Sequence, residues 1–461
     1  MHLKLRLFFL AMVPGIVAAQ TREPANLEQI LQRLDVLEQQ NRELMTEIRL
    51  LREQIASAAP AAALPTAAPV AAPQAASSSP APPPLAERVD VAEQRIDDLA
   101  QASVESEHHS AVELTGMVLF NSYLNGKYGS GQEDPTIAAP QAGARFGGAT
   151  LRQTVVGLKF QAPEHVAGAQ VSGAAYFDLF GGTGDALNQL VRLRIANIDF
   201  NWANTTFTVA QDKPILAPRE PDSLAQVGVS PLTGAGNLWL WRPQARVEQR
   251  FHFGASAGLR AQAGILETSE SRNVSAEYST NVSTGRPAFE GRFVFWKQSG
   301  DNGDFEIAPG LHISNSQLLG YSVPSRIASL DWRVPLARPF RLTGAAFLGE
   351  NMGVIGGLLQ GVVVPYRGSP RAVHGAGGWA QLEYRATRRM AFHVFAGQED
   401  DRDRDLETGL ISKNQAYGAN AMYRILSNVV ASFESAIVQT SFIGSPTRLN
   451  PHYDLAFAYL F

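Results

Sequence analysis

The sequence predicts an all-β transmembrane antiparallel barrel of about sixteen strands, preceded by an N-terminal α-helical coiled-coil extension. Three observations predict it. In the last nine residues Tyr453, Leu455, Phe457, Tyr459 and Phe461 fall on one side of an extended strand, with Asp454, Ala456, Ala458 and Leu460 on the other. An unpaired edge beside such an aromatic face invites aggregation in water, whereas barrel closure removes the edge and lipid accepts the aromatics. From Glu113 onward apolar residues recur with period two. The connections between these runs alternate long and short, as an even antiparallel barrel with both ends on one rim requires. A soluble sandwich with a buried last strand has no need of that alternation.

Composition agrees. The chain has 461 residues, 45% of them hydrophobic, with 40 Gly and no Cys. Its long apolar run lies at the N-terminus, so helical spans are excluded, while barrel strands hide apolarity by alternating it. A formal net charge of −4 points to no nucleic-acid partner. The lack of cysteine excludes disulfides, thiol catalysis, thiolate metal sites and a lipidated Cys.

Residues 1–19 read as a signal peptide, with Lys4 and Arg6 before an apolar run and the small residues Ala18 and Ala19 before Gln20. Residues 20–55 read as a coiled coil. Leu27, Leu34, Asn41, Ile48 and Ile55 occupy a positions, and Ile30, Leu37, Leu44 and Leu51 occupy d positions. That seam is too narrow to cover a globular core, so oligomerisation through Leu34, Asn41, Leu44 and Ile48 is expected, with packing onto the protein's own body as the alternative. Residues 56–84 form an Ala/Pro/Ser-rich linker, a semi-rigid spacer. Residues 85–104 carry a second, shorter apolar seam, Leu85, Val89, Ala92, Ile96 and Leu99.

The barrel is expected over 112–461. Its strands centre on Met117, Val156, Ala175, Ile195, Phe207, Val247, Leu259, Phe293, Ile307, Leu330, Gly344, Leu382, Phe395, Ala419, Phe433 and Phe457. The longer connections are expected at 125–148, 181–189, 213–241, 268–287, 317–321, 351–375, 399–412 and 441–450, all on one rim.

Chemistry is sought and not found. Gly254-Ala255-Ser256-Ala257-Gly258 has the spacing of a nucleophile elbow but runs from a turn into a strand, where the elbow needs a helix. His312 and His393 lie near strand centres with no evident Ser partner, and His108 and His109 lack metal-ligand company. The acids Glu399, Asp400, Asp401, Asp403 and Asp405 would suit a divalent cation, but Arg402 and Arg404 interleave them and favour a solvated loop. No catalytic, cofactor-binding or metal residue is assigned.

Two resemblances add to this reading. The C-terminal strand resembles the closing strand of Gram-negative outer-membrane proteins, so Tyr453, Phe457, Tyr459 and Phe461 are the expected signal for the barrel-assembly machinery. Val191-Arg192-Leu193-Arg194, Trp241-Arg242-Pro243-Gln244-Ala245-Arg246, the run from Ile327 to Leu336, Gly377-Gly378-Trp379-Ala380-Gln381-Leu382 and Lys413-Asn414-Gln415 resemble the DcaP-like outer-membrane porins. That resemblance implies a trimeric barrel with a helical N-terminal extension in the outer membrane of a Gram-negative bacterium, taking small hydrophilic, often anionic, solutes. Lipid bilayer and lipopolysaccharide would surround it, peptidoglycan would be within reach of the coil, and no cofactor is implied. The 56–84 spacer matches nothing in the family pattern. An outer-membrane anchor or adhesin whose barrel tethers the coil remains an alternative, and a barrel hydrolase a weaker one.

For such a barrel, sending apolar parity to lipid sends Arg192, Arg194, Arg246, Arg250, Arg260 and Arg292 inward, together with Asp178, Glu248, Glu290 and Asp331. These form either a basic wall or an internally neutralised ladder. The connection 213–241 carries Lys213, Arg219, Glu220 and Asp222, with Arg242 at its end, among prolines that stiffen it. The candidate pore-lining and constriction set is Arg192, Arg194, Arg246, Arg260, Arg219, Glu220, Asp222 and Arg242. Glu220 and Asp222 are expected to stand against the arginines, and replacing Arg192 and Arg194 by Gln is expected to move the reversal potential toward cations at low salt while leaving trimer stability nearly unchanged.

Overall fold

A computed structural model describes residues 111–182, 189–270, 282–284, 287–298, 304–357, 360–365 and 368–461. The signal peptide, the coil with Leu34, Asn41, Leu44 and Ile48, the linker and the second seam lie outside the described residues.

The described chain closes into a sixteen-stranded antiparallel barrel. In order, β1 is Ala111–Asn125, β2 runs through Phe146–Thr150 and Val155–Val166, β3 is Ala169–Gly181, and β4 is Leu190–Asn201. Then come β5 Thr205–Asp212, β6 Arg242–His252, β7 Ala257–Leu266, and β8 in two pieces, Val282–Thr284 and Ala288–Gln298. Next are β9 Asp304–Leu318, β10 Tyr321–Pro335, β11 Phe340–Glu350 and β12 His374–Arg385. The last are β13 Met390–Asp401, β14 Ile411–Leu426, β15 Val429–Phe442 and β16 Ser445–Leu460. Each predicted strand centre falls within one of them. Every strand pairs with its chain neighbour, and β16 returns to β1 through Tyr453↔Leu124, Phe457↔Phe120 and Leu460↔Met117.

Alternation sorts the side chains. Val118 and Phe120 on β1, Phe293 and Phe295 on β8, and Leu455, Phe457 and Tyr459 on β16 are exposed on the outer face. Opposite parity carries buried polar groups, among them Asn121, Glu290, Asp331, Glu434 and Asp454. A lipid-facing wall with a polar lumen has this pattern.

Connections differ from expectation at three places. The stretch expected as a loop over 441–450 is largely strand, because β15 continues to Phe442 and β16 starts at Ser445 across a turn with Gly444 at φ 74°. The connection at 317–321 likewise shrinks to Leu319 and Gly320, both with positive φ. Strands rising beyond the hydrocarbon no longer need apolar outer residues, so their polar tips read as loop. The acids Glu399, Asp400 and Asp401 also belong to a strand, β13.

Closure reaches the last residue. Gly116 N–H donates to the Phe461 carbonyl at 2.9 Å, and Phe461 N–H returns a bond to Gly116 at 3.1 Å. Phe461→Ala is therefore expected to lower the amount of heat-modifiable barrel recovered from membranes more than it alters the channels that do assemble. Wild-type recovery would remove the assembly role expected for the C-terminal aromatics.

Candidate functional site in the barrel lumen

The 213–241 connection makes contacts around the circumference. Lys213 carbonyl accepts from Gln244 on β6 (2.7 Å), Leu216 N–H donates to Glu290 on β8 (3.3 Å), and Leu216 carbonyl accepts from Ser329 on β10 (3.2 Å). Asp222 N–H donates to Gln381 on β12 (2.9 Å), and its carbonyl accepts from Asn420 on β14 (3.0 Å). Ser223 donates to Glu434 on β15 (2.5 Å), Leu224 carbonyl accepts from Asn121 on β1 (2.8 Å), and Gly234 carbonyl accepts from Asn414 on β14 (2.8 Å). The break in β2 supplies another anchor. Gln153, freed there from the ladder, donates to Ala225 carbonyl (2.9 Å) and accepts from the backbone N–H of Val227 and of Gly228.

Apolar contacts follow the same path. Leu216, Ala217 and Leu238 cluster with Ile327 and Phe347 of β10 and β11 and with Met352, Val354 and Ile355 of the next long connection. Leu232 and Ala235 cluster with Ala345, Trp379, Phe395 and Ala416.

The candidate charges are mostly paired. Arg192 makes a two-pronged contact with Asp178 (3.0 and 2.6 Å), and Arg194 reaches the same carboxylate at 2.8 Å. Both also donate to carbonyls of the connection, Gly228 and Val227, and both stack near Trp241. Arg219 binds Asp331 at 2.6 Å and Glu306, Arg260 also binds Glu306, and Arg242 binds Glu267. Arg292 completes a two-pronged pair with Asp331 at 2.7 Å on each prong. Arg246 meets Asp212 at 2.8 Å.

This changes two expectations. Glu220 pairs with Lys213 of its own connection at 2.8 Å and lies within the field of Arg194, whereas Asp222 faces Arg341 at 3.5 Å instead of Arg192, Arg246 or Arg260. Burial pushes the Glu220 carboxyl up, and the Lys213 ammonium beside it more than offsets that, holding it below the usual carboxylate range. Replacing Arg192 and Arg194 by Gln would strip Asp178, 2% exposed, of both cations, so it is expected to destabilise rather than leave stability unchanged. The ladder reading fits these positions.

Sequence reasoning missed Arg333 and Arg341. Arg333 shares its parity with Asp331, is exposed, and makes no ion pair among the described residues; the parity rule applied to β10 would have found it. Arg341 on β11 binds Glu383 at 2.6 Å. His312 does have a serine partner: its Nε2 lies 2.8 Å from Ser314 Oγ and its Nδ1 2.9 Å from Glu290. All three side chains are at most 2% exposed, and Glu290 also holds Leu216, so the chain of bonds anchors the connection. Among the described residues no group of three His, Cys, Asp or Glu is arranged to hold a metal.

No protein-family model matches the sequence, and no curated protein does. Among solved structures, the outer membrane channel DcaP of Acinetobacter baumannii superposes with a TM-score of 0.62 at 15% identity, over 76% of this chain and 97% of that one. The fold is that of a DcaP-like porin. An anion-selective porin from Comamonas acidovorans matches with a TM-score of 0.48 at 12% identity, over 77% of this chain and 100% of its own. A loop-deletion form of the outer membrane protein OmpT of Vibrio cholerae also scores 0.48, at 9% identity, over 76% and 99% of the two chains. At such identities the DcaP-like likeness speaks of architecture, and solute and selectivity must be argued from this chain's residues.

Proposed function

We propose that the chain is a non-enzymatic, trimeric outer-membrane porin of a Gram-negative bacterium, passing small hydrophilic, mainly anionic solutes through a water-filled barrel that residues 213–241 fold into and narrow. The observation that carries this reading is the set of bonds from that connection to inward-parity side chains on strands all round the barrel. A segment so held constricts the lumen without a moving lid. The anionic bias rests on Arg333, which is exposed, makes no ion pair among the described residues, and shares its cross-strand partner Glu306 with Arg219 and Arg260, so that this patch holds more arginines than acids. Its field acts across a low-dielectric throat and weakens as salt shortens the Debye length from ~10 Å at 0.1 M to ~3 Å at 1 M. In this reading the coil and both barrel termini face the periplasm, where the coil meets peptidoglycan, and the assembly machinery reads the C-terminal aromatics.

Single-channel recording with reversal potentials tests the reading. Anion preference is expected at low salt. Arg333→Gln should move the reversal potential toward cations, with stability within about 0.5 kcal/mol of wild type because the side chain is exposed and unpaired. A cation-selective wild type, or an unmoved potential in the variant, would remove the anionic bias. The packing of Leu216 and Leu238 against Met352, Val354 and Ile355 favours one second reading, a sealed barrel that anchors the coil. Zero conductance in planar bilayers would select it.

A further inference from the structure

A hollow of about 1240 Å³ lies in the outer wall of the barrel, across β10 to β14. Its floor is Ala346 of β11, Ala376, Gly378 and Ala380 of β12, and Ala396 of β13, all of the parity that faces lipid. Trp332 and Leu348 stand along one side of it and Tyr417 along the other. A Cβ at Gly344 would meet the Trp332 ring at 2.5 Å, so the indole rests over that glycine at the edge of the floor. Nearer the other rim the same strands expose Phe340, Leu382, Tyr384, Phe392 and Val394, which restore the bulk of the wall. Behind the floor, Ala345, Trp379, Phe395 and Ala416 pack with Leu232 and Ala235, so the hollow opens to lipid and not to the lumen. A membrane does not leave such a space empty, because its lining would lose packing contacts on one side.

A second observation is independent of that shape. The mouth of the hollow, on the rim of the longer connections, carries an arginine at each edge. Arg326, Glu350 and His374 are neighbours in register across β10, β11 and β12, and Arg402, just past β13, donates its N–H to the His374 carbonyl at 2.8 Å. Arg326, its side chain 72% exposed, meets Glu350 at 3.5 Å, and Glu350 is shared with His374 at 3.4 Å. Arg402 is exposed and makes no ion pair among the described residues, though it lies in the field of Asp405. Lys413 and Asp400 close on each other at 3.0 Å. The mouth therefore presents two guanidinium groups whose donors are largely free for an anion. Trp332 lies ~20 Å further along β10 than Arg326, at ~3.3 Å per residue, which is the reach of an extended acyl chain.

We propose that this hollow binds a lipid with an anionic phosphate headgroup, its acyl chains on the Ala/Gly floor and its phosphate at Arg326 and Arg402. Guanidinium matches phosphate with paired N–H donors, and a zwitterionic headgroup answers it less well because its own cation competes. A second barrel is the other apolar body able to reach the wall, but two convex walls touch along a line and leave a recessed floor uncovered. Flexible chains follow that floor. The site lies outside the barrel and asks nothing of the solute or its charge.

The test uses the full-length protein in vesicles of phosphatidylcholine brominated on its acyl chains. Bromine quenches tryptophan on contact, and Trp332→Phe identifies the share due to Trp332 among the six tryptophans. Unbrominated dioleoyl phosphatidic acid should restore that share at a severalfold lower mole fraction than unbrominated dioleoyl phosphatidylcholine. Arg326→Gln with Arg402→Gln should make the two lipids equal. Ala346→Leu with Ala396→Leu should do the same by filling the floor, and both variants should fold because the changes sit on the outer surface. Equal restoration in the wild type would overturn the site, since an ordinary lipid annulus gives that result. So would a preference that survives in both variants, or a Trp332 that brominated lipid does not quench, which would put a second copy of the chain on this wall. Reversal potentials are read from the lumen, so failure here leaves the porin reading standing.

Discussion

Asp331→Ala is expected to destabilise the barrel by about 3–5 kcal/mol and to raise single-channel conductance together. Asp331 is fully buried on β10 and binds two arginines at once, Arg292 through both prongs at 2.7 Å and Arg219 at 2.6 Å. Removing it leaves Arg292 buried with, among the described residues, only Gln262 to bond, and weakens the hold of Arg219 on the wall. The energy lost is chiefly the penalty of buried, unpaired charge. Arg219 is the ion-paired side chain through which 213–241 grips β9 and β10, so its release loosens the constriction there. Denaturant unfolding reads the first effect, and planar-bilayer recording reads the second. A large stability loss with unaltered conductance would show that the pair only braces the wall.

Gly236→Ala is expected to displace the turn around 232–237. Gly236 has φ 96°, and a Cβ there would lie 2.1 Å from the Gly378 carbonyl and 2.6 Å from that of Gln398. Both neighbours are ladder backbone on β12 and β13, which cannot give way. On the other side, a Cβ at Gly397 would meet the Ala235 carbonyl at 2.2 Å. Strain at such φ costs about 1–2 kcal/mol and overpacking about 1–3 kcal/mol more. The turn can escape only by leaving the wall, taking Leu232 and Ala235 from their contacts with Trp379 and Phe395. Thermal unfolding should fall and conductance rise in Gly236→Ala, and Gly397→Ala should reproduce both. Equal melting and conductance in both variants would mean that the seat is not closely packed.

The barrel was legible because its chemistry is written locally. Period-two alternation from Glu113 and the apolar outer parity of Phe293, Phe433 or Phe457 place strands whether or not their partners are known. The tips at 442–445 and 318–321 were not legible, since the outer residues there no longer face hydrocarbon. In the lumen, parity sent Arg192, Arg194, Arg246 and Arg260 inward but is silent about partners. Asp178, fourteen residues before Arg192, neutralises two of these arginines only because β3 and β4 pair in that register. Gln153 carried no signal at all, because its role depends on a break in β2 facing a connection some seventy residues later.

The bonds of 222–228 bear on how the molecule comes apart. Asp222 and Ser223 hold β14 and β15, while Leu224 and Ala225 hold β1 and the break in β2. The segment thus crosses, from within, the seam where the last strand meets the first. A closed sheet can unzip only by parting somewhere, and the parting line with least covalent continuity is β1 against β16. Here that line is sewn a second time by a stretch of chain far in sequence from both strands of the seam, so unzipping must wait until the stitch is undone. Resistance to unfolding then becomes a matter of rate, set by the stitch, as much as of equilibrium.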